Sequence, residues 1–242
     1  MKRIGIVVLT AALCVLLSGC GEGDKPVTTT APEAAIQAEK ERNKVSVARE
    51  ESFTYTDHNG NAYDTVYRIP SINMDSKDAE AANEEISEKY LTDFEKAERE
   101  CAALTSLTCE KLDYEKFEND NVLSVVIRRV FFSHAVDYSV YNFHAVTGVE
   151  LSSEGVMKSV NITPEQAQEL LKKQLEQDYV SKYKTAQPEK YEENMEKTLS
   201  DDNLDQAMYY LGKDGVLRAI CKEYASVGSG EFSVVLTVKS AS

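Results

Sequence analysis

One stretch limits the possible folds more than any other. Val122 to Ser133 reads Val-Leu-Ser-Val-Val-Ile-Arg-Arg-Val-Phe-Phe-Ser. A strand with one wet face alternates apolar and polar residues, whereas a strand covered on both faces is nearly continuously apolar. This run is of the second kind. It predicts a central strand with packing partners above and below. The neighbouring runs support a sheet around it. Cys109 to Phe117 alternates loosely, and Val136 to Ala145 alternates and ends at Thr147-Gly148. Turn residues at Asn119-Asp120 and His134 make the three runs an antiparallel meander.

The meander is preceded by two more β-rich runs, Phe53-Thr54-Tyr55 and Tyr63-Asp64-Thr65-Val66-Tyr67. Between them lies Asp57-His58-Asn59-Gly60-Asn61, and Asn-Gly is a strong hairpin signal because both residues tolerate φ > 0. Pro70 ends the second strand, since it has no N–H for the ladder. From Ser76 to about Ala103 the period changes. Ala79, Ala82, Ile86, Tyr90, Phe94, Ala97 and Cys101 recur at three- and four-residue steps, which predicts a long helix with one narrow apolar stripe. Ser76 suits its N-cap.

A second helix begins at Thr163. Pro164 takes the first position and Gln166 completes a capping box. Its stripe is Ala167, Leu170, Leu171, Leu175, Tyr179 and Tyr183. A shorter helix runs from Pro188 to about Leu199. Ala207 to Leu211 and Val216 to Cys221 form a hairpin about Gly212-Lys213-Asp214-Gly215. Gly228-Ser229-Gly230 then leads into a last strand, Phe232 to Val238. The order predicts an α+β fold, with a largely antiparallel sheet packed against two main helices.

The N-terminal segment gives an address. Lys2 and Arg3 precede an apolar run from Ile4 to Leu17, the layout of an export signal. The run is shorter than the roughly 20 residues of a membrane-spanning helix. It ends in Leu17-Ser18-Gly19-Cys20, which resembles the lipobox of bacterial lipoproteins, where the cysteine sulfur is acylated. The expected organisation is a signal peptide over 1–19, a lipidated tether over 20–43 and an α+β domain over 44–242. The tether is rich in Thr, Ala, Glu, Gly and Pro and lacks aromatics, so it buries too little surface to order itself. As a coil of about 23 residues it spans roughly 25 to 30 Å. The expected location is the outer face of a bacterial cell membrane, anchored by acyl chains.

Charge narrows the partners. The leader carries two of the 27 basic residues, so the chain beyond it has 41 acidic and 25 basic residues, a net of −16. That excludes nucleic acid as a natural partner and disfavours docking on anionic headgroups. A cationic partner is electrostatically compatible, and plain solubility of the surface is the alternative.

Cys101, Cys109 and Cys221 remain after Cys14 leaves with the leader and Cys20 is acylated. An exported compartment permits a disulfide between Cys101 and Cys109. Three buried thiols acting as small apolar groups is the alternative.

No nucleophile motif, P-loop or metal-type spacing occurs. His134, Asp137 and His144 read as strand-end residues, so no cofactor or metal is expected. Tyr is abundant, with 13 residues. Tyr138 and Tyr141 fall on opposite faces of one strand, as do Tyr209 and Tyr210. Exposed tyrosine suits protein or glycan recognition, being apolar in body and polar at its tip. These four are the candidate ligand contacts, with core packing as the alternative.

Several stretches carry a family resemblance. Tyr67-Arg68-Ile69-Pro70 precedes a helix containing Ala82-Asn83-Glu84-Glu85-Ile86. Tyr141-Asn142-Phe143 is followed by Thr147-Gly148-Val149-Glu150-Leu151. Tyr209-Tyr210-Leu211 precedes Asp214-Gly215-Val216-Leu217 and Gly228-Ser229-Gly230-Glu231-Phe232. This order resembles the extracytoplasmic domains of unknown function DUF4163 and DUF3298. Such domains occur in the lysozyme-sensing anti-sigma factor RsiV and the peptidoglycan deacetylase PdaC. The resemblance implies the fold, an envelope setting and a protein or cell-wall ligand, a cationic lysozyme-like protein among them. It transfers neither sigma-factor control nor deacetylation. The expected role is non-catalytic binding. The alternatives are an enzyme acting on peptidoglycan and a structural component of envelope assembly.

Overall fold

The structure is a computed structural model that describes residues 43–56, 60–103, 107–186, 189–226 and 230–239. The leader, Cys20, the tether through Arg42, Asp57-His58-Asn59, Pro188 and Gly228-Ser229 lie outside the described residues.

The fold is α+β, built from two sheets that meet at a seam. The first has five strands in the order β1-β2-β3-β4-β5: β1 (Val45–Thr56), β2 (Ala62–Ile72), β3 (Cys109–Asn119), β4 (Val122–Phe131) and β5 (Val136–His144). β1 and β2 pair antiparallel, as the hairpin reading expects, with Tyr55 opposite Tyr63 and Thr56 opposite Ala62. The meander β3-β4-β5 is antiparallel as expected.

Between the two halves the sheet departs from the antiparallel pattern. β2 and β3 run parallel, and Tyr67 opposite Leu112 is the register pair that joins them. Parallel neighbours need a long crossover. Here it is α1 (Lys77–Ala102), whose 26 residues span about 39 Å. Ala79, Ala82, Ile86, Tyr90, Phe94 and Ala97 are its buried stripe, as the periodicity requires. The Ser76 hydroxyl accepts the Ala79 N–H at 3.1 Å. Asn83 closes the end of β2 by accepting the Ile72 N–H at 2.8 Å and donating to the Ile72 carbonyl at 2.9 Å.

The second sheet is antiparallel, in the order β6 (Met208–Leu211), β7 (Leu217–Tyr224) and β8 (Glu231–Lys239). Four helices precede it in the chain: α2 (Ser153–Ser159), α3 (Pro164–Tyr183), α4 (Tyr191–Thr198) and α5 (Asp201–Asp205). α3 starts with the Thr163–Gln166 capping box and buries Ala167, Leu171, Leu175 and Tyr179. Leu170 is exposed instead, and Tyr183 is half-buried.

β4 shows why the chain needed a run that is apolar on both faces. Leu123, Val125 and Ile127 join the core beneath α1. Val122 and Val126 point the other way, into clusters with residues of the second sheet. The strand is an interior wall between two cores. A single sheet was the sequence expectation; two arise because β6 packs across β4 and β5 rather than beside them.

The Cys101–Cys109 disulfide that an exported setting permits is not formed. All three thiols are free, with Cys109 and Cys221 buried and Cys101 partly buried. Cys109 opens β3 within the first core, and its thiol donates to the Lys111 carbonyl at 3.5 Å. The thiols fill the role of small apolar side chains.

Candidate functional site

The outer face of the first sheet is divided. β6 and β7 cover its β4–β5 half, where Val126, Tyr210 and Ile220 are buried and Phe117, Tyr138, Val140 and Met208 pack against them. Among the described residues the β1–β2 side has no such cover and carries charged side chains, Glu50, Asp64 and Arg68 among them. β2 and β3 are in register at Tyr67 and Leu112, and toward the start of both strands there is an opening lined by Thr65, Val66, Glu110 and Lys111. The Thr65 hydroxyl bridges this opening by donating to the Glu110 carbonyl.

The opening is a cleft of about 420 Å³. One wall is aromatic. Tyr63 stacks on Tyr55 with ring centroids 5.2 Å apart and planes at 20°. Phe132 meets Tyr55 edge-on at 4.9 Å. Tyr55 is buried, whereas Tyr63 is 45% exposed. The hairpin register makes this stack, because Tyr55 and Tyr63 are direct cross-strand partners. Val66 adds an exposed apolar patch.

The other wall is charged. Glu50, Asp64 and Glu110 face Arg68 and Lys111. Both cations converge on Asp113: Arg68 Nη2 lies 2.7 Å and Lys111 Nζ 3.2 Å from its Oδ2. Burial alone would raise the Asp113 carboxyl. The hydrogen bonds from Arg68, the Tyr114 N–H and Lys111 outweigh it and hold the group below its ordinary value. A second depression of about 240 Å³ adjoins the first through Lys111 and is lined by Asp113, Tyr114, Glu115 and Arg128. Together they form a trough with an aromatic end and alternating charges. Its chemistry is suited to holding an extended polar ligand.

The tyrosines singled out from the sequence lie elsewhere. Tyr141 is buried under α1 and donates to Glu85 Oε1 at 3.0 Å. Tyr209 belongs to the second core. Tyr210 lies in the seam, stacked with Phe117 at 5.9 Å. All three are 4% exposed, so their rings serve packing rather than a ligand-facing surface. Tyr138 is half-buried at the seam edge. Alternation put each pair on opposite faces but carried no information about the second sheet that covers the outer one. The exposed stack at Tyr55 and Tyr63 was missed, because it depends on the pairing register, which the hairpin signal alone does not fix.

The three residues considered as metal ligands do not converge. Asp137 pairs with Arg129 at 2.8 Å, and His144 Nδ1 accepts the Thr147 N–H at 3.3 Å. His134 sits in the β4–β5 turn with φ +65°. Among the described residues no group of three metal-ligating side chains forms, and no helix is long and apolar enough to cross a membrane. Comparisons with protein-family models and with curated proteins find no match to this chain.

Proposed function

We propose that the chain is a recognition module, held on the outer face of the cell membrane through Cys20, that binds a protein or cell-wall ligand in the β2–β3 cleft. The observation that carries this reading is the rigid aromatic stack at the cleft mouth. Tyr63 is held on Tyr55 and still offers nearly half of its surface to solvent. A ring fixed in this way loses little freedom on binding, which is why tyrosine is common among residues that dominate interfaces. The lipobox-like segment supports the anchor. The net charge of −16 beyond the leader supports a cationic partner, and the likeness to DUF4163 and DUF3298 domains supports the envelope setting.

Calorimetry on the full-length chain in detergent, with lysozyme and with soluble peptidoglycan fragments as probes, tests the proposal. The expected result is binding of one probe, weakened about thirtyfold by Tyr63→Ser, equivalent to roughly 2 kcal/mol. A cationic protein ligand is expected to bind less tightly as salt rises. No binding of either probe, or equal binding by the variant, overturns the assignment.

A further inference from the structure

β7 places Leu217, Ala219, Cys221 and Glu223 on one face by strand alternation. The first three belong to the core under α3. Glu223 continues the row, and it is fully buried, with 0% exposure. A carboxylate in an apolar row is costly unless it is paired.

The pairing it has is incomplete. Glu223 Oε2 accepts from Lys182 Nζ at 3.0 Å and from the Tyr183 hydroxyl at 3.5 Å. Oε1 has no hydrogen-bond partner among the described residues. Lys182 is also shared: its ammonium pairs with Asp178 one turn earlier on α3. One cation therefore serves two carboxylates. The cluster carries one net negative charge, with Glu223 fully buried, and a proton would remove it.

The groups around Glu223 come from several elements. α3 contributes Asp178, Tyr179, Lys182 and Tyr183. α4 contributes Tyr191, and Lys197 lies over the adjacent Tyr224 ring at 3.9 Å. β7 itself contributes Cys221, and the β8 partner of Glu223 is Phe232. Among the described residues no second cation pairs with Glu223. Lys182 is 40% exposed in its side chain, so the cluster communicates with solvent through it.

We infer that Glu223, Asp178 and Lys182 form a proton-operated latch that fastens the last turn of α3, and α4 beside it, to the second sheet. The proton comes from bulk water and binds Glu223, which then donates to Asp178 as a neutral acid while Lys182 remains on Asp178. Loss of that proton leaves two carboxylates competing for one ammonium, and the turn loosens. Burial, then Asp178, raise the Glu223 carboxyl from 4.5 to about 7 against the opposing pull of Lys182. The folded value is thus above the unfolded one. The stabilisation is fully present below about pH 4.5 and is lost as pH rises through about 7. This latch is independent of the cleft and of what the cleft binds.

Hydrogen exchange on the full-length chain in detergent, corrected for intrinsic rates, is the test. From pH 5.5 to 8.5, protection of 178–186 and 191–199 should fall at least tenfold in the wild type, while Glu223→Gln shows no such fall. An equal fall in Glu223→Gln, or none in the wild type, overturns the latch. Should Glu223→Gln fail to fold, carbon-13 titration of the wild-type carboxyl decides. A midpoint near neutrality is expected, and one in the ordinary carboxylate range overturns the proposal.

Discussion

The side-chain amide of Asn142 donates to the main-chain carbonyl of Tyr209, 2.9 Å away, across the seam between the two sheets. Ser124 completes the joint. Its hydroxyl donates to Asn142 Oδ1 at 2.7 Å and accepts the Leu211 N–H at 3.1 Å. β6 pairs with β7 along one edge, so these side chains satisfy backbone groups on the other. Ser124 and Asn142 are both buried, on adjacent strands opposite one another. This explains a serine within the apolar run of β4.

Asn142→Leu is therefore expected to cost about 2 to 3 kcal/mol, because it orphans the Tyr209 carbonyl and deprives Ser124 of its acceptor. Ser124→Ala should cost a similar amount. The double variant should cost clearly less than the sum, since the residues act as one unit. Urea unfolding of the two single variants and the double variant measures this.

Gly148 provides a cleaner case of backbone constraint. It has φ +69°, and a Cβ there would lie 2.7 Å from Ser76 Oγ and 3.1 Å from Met74 Cβ. The close approach is functional in the fold: Ser76 Oγ donates to the Gly148 carbonyl at 2.7 Å, and Asp78 accepts the Glu150 N–H at 2.9 Å. The start of α1 thus clamps the loop after β5. Gly60 has φ +83° with nothing near its absent Cβ. Gly60→Ala should cost about 1 kcal/mol from conformation alone. Gly148→Ala should cost at least about 1 kcal/mol more, through the clash. Thermal unfolding of both variants separates the two contributions.

What the sequence made legible depended on periodicity. The α1 stripe from Ala79 to Ala97 was read residue by residue, because a 3.6-residue period is intrinsic to one helix. The Thr163–Gln166 box was equally local. The parallel join of β2 to β3 was not legible, since it depends on where α1 delivers the chain. α2 and α5 were missed because seven and five residues show too little period. The cleft was hidden for the same reason as the seam. Arg68 is separated from Lys111 and Asp113 in the chain by all of α1, and only the crossover brings it to them.

Asp113 gives a pH dependence opposite in sign to that of Glu223. Its carboxyl is held below its ordinary value, despite burial, by Arg68 and its other donors. A depressed acid stabilises the fold above its unfolded value, and this is lost as pH falls through the folded one. Asp113→Asn should accordingly lower the urea midpoint at pH 7. The gap to the wild type should close as pH drops below the ordinary carboxylate range. Arg68 is substantially exposed, so salt should reduce the effect.

Thiol counting tests the anchor without a ligand. Burial pushes Cys109 up to about 11 and Cys221 up to about 12, while Cys101 is partly buried and also raised. The thiolate is the reactive form, so native alkylation should mark Cys101 slowly and the other two hardly at all. In denaturant every unblocked thiol reacts. A chain cleaved before Cys20 and acylated there exposes three, namely Cys101, Cys109 and Cys221. Cleavage without acylation exposes four. A retained leader adds Cys14 and gives five without acylation, or four with it, the heavier uncleaved mass telling the two four-thiol cases apart. Mass spectrometry of the membrane-derived protein reads the count, and three is the expected number. Cys20→Ala should leave the native labelling of Cys101 unchanged while the protein leaves the membrane fraction, because no described contact of the fold depends on Cys20.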